Sequence, residues 1–145
     1  MNRSKLSKKI MMIIDDDDVM RSFIQNLLMG SISEYKFIFV PSDSNKSALD
    51  SLEKVNGNID IISTDLNRPG GSGIEFIKVC KEKYPHIPII VCTGFAPKQY
   101  LDDMKDAGLI KMYFKKPFDV HKYIQVIREI LQSQKVVRPI FVPDH

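Results

Sequence analysis

Five short apolar runs recur along the chain, and after each the apolar residues return at helical spacing. The runs Ile10–Ile14, Lys36–Val40, Ile59–Thr64, Ile87–Cys92 and Ile110–Lys115 have the length of strands. Between and after them the apolar positions fall three or four apart. They are Val19, Phe23, Ile24, Leu27 and Leu28, then Ala48, Leu49, Leu52 and Val55, then Phe76, Ile77, Cys80 and Tyr84. Tyr100, Leu101, Met104 and Ala107 follow, and last Val120, Tyr123, Ile124, Ile127, Ile130 and Leu131. Strict alternation of strand and helix calls for a parallel sheet with helices on both faces. Runs one, three and four are nearly unbroken in apolar character and belong at the centre. Run two closes at Pro41, which has no N–H to give a ladder, and run five is interspersed with lysine, so both suit edges. The order 2-1-3-4-5 meets these demands. It describes a single doubly wound five-stranded α/β sheet whose switch point lies between strands one and three.

The breaks between elements are legible too. Gly30-Ser31 stops a first helix predicted from Asp18 to Met29. Ser44 or Asn45 can cap the second helix, and Asn56-Gly57-Asn58 is a turn. Pro85 ends the third helix, Pro97 suits the first turn of the fourth, Gly108 ends it, and Asp119 caps the fifth. With Ala96 as a poor cap and a charged outer face, the fourth helix is expected to be the loosest. The 145 residues, 43% hydrophobic and 27% charged, suffice for one domain with a real core. We expect a disordered basic end over residues 1–8, a folded unit over 9–133 and a tail or linker over 134–145.

Several function classes recede. The net charge of +3 owes much to Arg3, Lys5, Lys8 and Lys9, a frayed end rather than a nucleic-acid surface. No apolar stretch has membrane-spanning length, and none resembles a secretory signal. Cys80 and Cys92 lie in apolar patterns and read as buried free thiols of a reducing, cytoplasmic setting. No Cys/His spacing suits zinc.

Ligands of open α/β sheets bind beyond the carboxyl ends of the strands, at the switch point. Those ends carry Asp15, Asp16, Asp17 and Asp18 from run one, Asp65 from run three, Thr93 from run four and Lys116 from run five. Adjacent carboxylates about 4 Å apart repel by about 1 kcal/mol in water and about 4 kcal/mol near a protein surface. The N-terminus of a helix relieves part of this, and a divalent cation relieves more. A solvated acidic turn with a capping aspartate is one reading; Asp65 on a second strand end favours the other, a cation site. Hard carboxylate oxygens with room for water suit Mg²⁺. Asp65 can then act as a nucleophile toward a phosphoryl group, giving an aspartyl phosphate. Lys116 would neutralise the transferring group, and the Thr93 hydroxyl and Gly94 N–H would donate to its oxygens. No general base is needed, because the acceptor is already ionised.

Four pieces now stand in order: Ile13-Ile14-Asp15-Asp16-Asp17 with Arg21 after it, Ser63 to Gly73, Val91-Cys92-Thr93-Gly94, and Tyr113 to Phe118. Together they resemble the receiver domain of two-component response regulators, over roughly residues 9 to 132. The resemblance implies a flavodoxin-like fold and a cytoplasmic signalling protein, not an enzyme beyond its own phosphorylation and dephosphorylation. It implies that Asp65 takes a phosphoryl group from the phosphohistidine of a sensor histidine kinase or a histidine phosphotransfer protein. Asp16 and Asp65 would hold Mg²⁺ directly (Mn²⁺ can substitute), Asn67 through its backbone carbonyl and Asp15 through water. Lys116, next to a cis Lys116-Pro117 peptide, would pair with the phosphoryl group, which Gly94 and Leu66 also contact. Thr93 would move toward it and Tyr113 turn inward, re-posing the face of helix four, strand five and helix five toward an output partner or a second copy in a homodimer. No nucleic acid or membrane is implied for this domain.

Some positions depart from the usual pattern. Asp18 stands where proline is frequent and is read as a cap for helix one. Arg68 replaces a methionine and either steers an anionic donor or is simply solvated. Asn67 and Phe95 flank the place where the family tunes hydrolysis. Two rivals remain: a haloacid-dehalogenase-type phosphatase with Asp15 as nucleophile, and a receiver-like binding module that takes no phosphate. The phosphatase scheme wants an acidic pair after its lysine, whereas Asp102-Asp103 precedes Lys116. The binding module would be favoured by loss of an acid or of Lys116, and none is lost. The tail from Val136 to Val142 reads as a linker or as a partner-binding strand.

Overall fold

A computed structural model describes residues 6–68 and 71–134, with Arg68 and Gly71 seen as backbone only. The strands are β1 (Ser7–Ile14), β2 (Tyr35–Ser42), β3 (Ile61–Thr64), β4 (Ile89–Thr93) and β5 (Met112–Lys115). All pair in parallel, in the order β2-β1-β3-β4-β5. The helices are α1 (Asp18–Ser31), α2 (Asn45–Lys54), α3 (Gly73–Lys83), α4 (Lys98–Asp106) and α5 (Val120–Ser133). A two-residue antiparallel ladder, Asn67–Arg68 with Gly71–Ser72, leads into α3. Strand order and parallel sense agree with the sequence reading, as does the edge position of β2 and β5.

Because strand side chains alternate, each central strand feeds two cores. Met12, Ile14, Ile62, Ile89 and Val91 face α2, α3 and α4, where Ala48, Leu52, Phe76, Ile77, Cys80, Leu101 and Met104 meet them. Met11, Ile13, Ile61, Ile90 and Cys92 face α1 and α5, against Ile24, Leu28, Tyr123, Ile127 and Leu131. Both cysteines are buried and free. Among the described residues, no helix is long and apolar enough to cross a membrane.

The structure corrects several local expectations. β1 begins at Ser7, inside the stretch expected to fray, because it pairs residue for residue with β2 from Ser7 opposite Tyr35. Lys9 is held there over the Tyr35 ring and by Gln134. β2 runs through Pro41, which an edge tolerates. The cap of α1 is Asp17, not Asp18: its carboxylate accepts the N–H groups of Val19 and Met20. Val19 and Phe23 do not face the core; they are 73% and 46% exposed. The buried stripe of α1 is Ile24 and Leu28, with Met20 and Leu27 beside it. Tyr100 of α4 is exposed as well, and α4 has no side-chain cap at Pro97. Ser44 and Asp119 cap α2 and α5 as read from sequence. The readings of the Arg68 side chain, of residues 1–5 and of the tail from residue 135 lie outside the described residues.

One polar cluster is sealed inside the α1–α5 core. The Tyr123 and Ser63 hydroxyls lie 3.0 Å apart, and Ser63 Oγ lies 3.7 Å from Cys92 Sγ. Burial pushes the Cys92 thiol up to about 12 and the Tyr123 phenol well above its ordinary range. Tyr123→Phe removes one buried hydrogen bond while keeping the ring packed against Phe114 and Phe118. A loss of about 1 kcal/mol is expected in urea unfolding.

Candidate functional site

The carboxyl ends of β1 and β3 lie side by side, because Ile14 pairs with Thr64. The chain leaves both strands into aspartates, and the register carries on past the strand ends: the Asp65 N–H donates to the Ile14 carbonyl at 3.0 Å. Oxygens of Asp15, Asp16 and Asp65 therefore lie within 4.8 Å of one another, with Asp15 and Asp65 buried and Asp16 exposed. Three hard oxygen ligands with one side open to water fit a divalent cation such as Mg²⁺ and do not suit a soft metal.

Lys116 enters from the end of β5. Its backbone N–H donates to the Thr93 carbonyl at 2.8 Å, and the Lys116-Pro117 peptide is cis. Its ammonium donates to Asp15 Oδ2 at 2.7 Å and to Asp65 Oδ2 at 3.2 Å. Burial lowers the lysine pKa, but the hydrogen bond and charge of Asp15, joined by Asp65, outweigh it and leave the pKa above the ordinary value. The sign of the linkage follows. A folded pKa above the unfolded one gives stability that is intact below the ordinary lysine range and lost as pH rises through the folded value. Lys116→Met leaves two largely buried carboxylates without their cation. It is expected to cost about 3 kcal/mol at neutral pH. The gap from wild type in urea unfolding should narrow as pH climbs past the ordinary lysine range.

Several contacts hold Asp65 and Asp15 in place. Asp65 Oδ1 accepts the Asn67 N–H at 3.1 Å, and Asp15 Oδ1 accepts the Asp17 N–H at 2.9 Å. Arg21, in the first turn of α1, reaches back past the start of the helix to donate to the Asp15 carbonyl at 2.5 Å. Thr93, at the end of β4, is fully buried. Its hydroxyl accepts from the Asn67 carboxamide at 3.1 Å, and the same carboxamide donates to the Phe95 carbonyl at 2.7 Å. The sequence reading gave Asn67 a backbone role at the metal and a place, with Phe95, beside the site that tunes hydrolysis; nothing in the sequence signals that its side chain clasps the β4–α4 loop. Leu66 is buried beside the acids, and Gly94 is exposed, with open space around an added Cβ. Tyr113 lies on β5, facing α4, and its hydroxyl donates to Asp102.

Gly73 is the further residue that pattern reading left inside a breaker-rich loop. An added Cβ there would sit 2.6 Å from the Asp65 carbonyl oxygen and 2.7 Å from Leu66 Cα. The first turn of α3 is thus pressed onto the backbone that carries Asp65.

The chain matches the family described as the response regulator receiver domain over residues 11–128. It is 30% identical over 126 residues to the chemotaxis protein CheY of Pseudomonas aeruginosa, covering 84% of this chain and 92% of that protein. It is also 30% identical over 125 residues to the polar-differentiation response regulator DivK of Brucella ovis, covering 85% and 96%. Against the DNA-binding transcriptional regulator NtrC of Klebsiella pneumoniae, 26% identical, it spans 95% of its own length but only 28% of the relative's. Among solved structures, a receiver domain protein of Clostridium thermocellum aligns with a TM-score of 0.76 at 21% identity, covering 88% of this chain and 97% of that one. The CheX-CheY-BeF₃-Mg²⁺ complex of Borrelia burgdorferi aligns at 0.74 and 20% identity, covering 85% and 89%. The flavodoxin-like sheet, the acids at its switch point and these matches agree, and the chain belongs to the response regulator receiver domains.

Proposed function

We propose that this receiver accepts a phosphoryl group on Asp65 from the phosphohistidine of a sensor histidine kinase or histidine phosphotransfer protein. The observation that carries the reading is the Lys116 ammonium set between Asp15 and Asp65, with Asp16 completing an open oxygen cluster. An Asp65 oxygen forms the new P–O bond as the P–N bond to the donor imidazole breaks, and the electron pair leaves with that nitrogen. Asp16 and Asp65, with the Asn67 carbonyl and, through water, Asp15, would hold Mg²⁺ (or Mn²⁺), which would supply positive charge to the phosphoryl oxygens. The Lys116 ammonium, already beside Asp65, adds a second positive charge. The Thr93 hydroxyl, the Gly94 N–H and the Leu66 backbone complete the oxygen shell.

The product is a covalent charge that biases two packings of one face. Thr93 leaves Asn67 for the phosphoryl group, Tyr113 turns inward, and α4, β5 and α5 present a new surface. An output protein, an attached domain or a second copy of the chain reads that surface. The folded unit, which extends from β1 at Ser7 to Gln134 at the end of α5, then acts as a cytoplasmic signalling module whose chemistry is confined to its own phosphorylation and dephosphorylation.

The test is to treat the protein with a small-molecule phosphodonor and Mg²⁺ and to locate the label by mass spectrometry. Label on Asp65 is expected. Label on Asp15 would support the phosphatase scheme instead, and no label with any donor would support a binding module.

A further inference from the structure

α4 is poorly equipped to stand alone. It has nine residues, no side-chain cap and two buried side chains, Leu101 and Met104. A hydrogen bond from the neighbouring edge strand ties it down. The Tyr113 hydroxyl donates to Asp102 Oδ1 at 2.5 Å. The other oxygen, Oδ2, takes the Lys98 ammonium at 2.8 Å, one turn earlier on the same helix. An exposed Lys–Asp pair at this spacing contributes little by itself. A short bond from a phenol to a carboxylate is of the stronger, charge-assisted kind. The hydrogen bond to Asp102, with partial burial, raises the Tyr113 pKa, and Lys98 foremost, then Tyr113, lowers that of Asp102. The donor thus keeps its proton and the acceptor its charge at neutral pH.

This bond fixes where Tyr113 points. The ring packs at the edge of the α2–α4 core while the hydroxyl stays with Asp102 on α4. The Tyr113 ring cannot turn inward while its hydroxyl remains on Asp102. We infer that Asp102 is a positioning residue: it holds Tyr113 outward and so sets how readily occupancy of Asp65 re-poses the α4–β5 face. The inference rests on the reading of Asp65 as the phosphoryl acceptor. Its consequence is a linkage. The binding-competent packing is only a fraction of the free protein, and apparent affinity for a phosphoryl mimic falls by that fraction. Removing the bond raises the fraction.

The experiment is a titration of the full chain with beryllofluoride at saturating Mg²⁺, followed by the amide and tyrosine-ring resonances of α4 and β5. Asp102→Ala is expected to bind the mimic about threefold to tenfold more tightly than wild type, the worth of one hydrogen bond. Tyr113→Phe, which removes only the hydroxyl, should tighten it similarly. The double variant should match either single one, because both delete the same bond. Asp102→Asn keeps the side-chain volume, guards against misfolding, and should shift affinity less in the same direction. Equal or weaker binding by Asp102→Ala and Asp102→Asn, with a normal wild-type response, would overturn the inference alone. A wild-type protein that does not respond at all would overturn the acceptor reading and the inference with it.

Discussion

Asp65→Asn is expected to abolish both phosphoryl labelling and the response of α4 and β5 to beryllofluoride, while leaving the fold in place. The variant keeps an oxygen that can accept the Asn67 N–H. Lys116 keeps its shorter bond, 2.7 Å to Asp15. Unfolding stability should therefore move by only about 1 kcal/mol. What disappears is the charged oxygen to which we assign the acyl phosphate, and with it one of three clustered carboxylates. A neutral carboxamide is not a nucleophile toward phosphorus, so the loss should exceed about a hundredfold. Amide spectra with and without mimic and Mg²⁺ would check this directly. A variant whose α4 and β5 resonances still moved as in wild type would show that another residue is the acceptor.

The second large effect is expected at Gly73. Its Cα lies against backbone, and backbone cannot move aside as the end of a flexible side chain can. A methyl group 2.6 Å from the Asp65 carbonyl oxygen must push α3 away from the segment that carries Asp65. Gly73→Ala should cost about 3 kcal/mol, at the upper end of overpacking. The melting temperature should fall by on the order of 10 °C. Phosphoryl acceptance should fall as well, because a displacement of about 1 Å at a reacting group can cost on the order of a hundredfold. Gly94→Ala is the control, since an added Cβ there meets nothing within 4 Å. It should change stability by less than about 0.5 kcal/mol. Equal melting of the two variants would mean that the α3 contact does not constrain the site.

The two variants also mark where local pattern stops being informative. Gly73 and Gly94 look alike as letters, each a small residue after a hydroxylated one near a strand end. One is pressed on by the backbone carbonyl of Asp65 itself, and the other faces open space. Likewise Val19 and Phe23 fit the helical spacing of α1, yet they lie outside its buried stripe. The apolar period of a helix places the stripe only to within a residue or so, and the sheet beneath decides which flank is covered.

The sequence by itself determined the parallel sheet, its strand order and the set of acids and lysine at the strand ends. Those features follow from period, length and composition, which act over a few residues at a time. Tertiary structure alone decided that Lys116 lies closer to Asp15 than to Asp65, that the Asn67 carboxamide clasps Thr93 and Phe95, and that Asp102 holds Tyr113. Each of those contacts joins segments 11 to 101 residues apart. Their geometry depends on how strands and helices seat against one another to fractions of an ångström, and no local residue pattern encodes that.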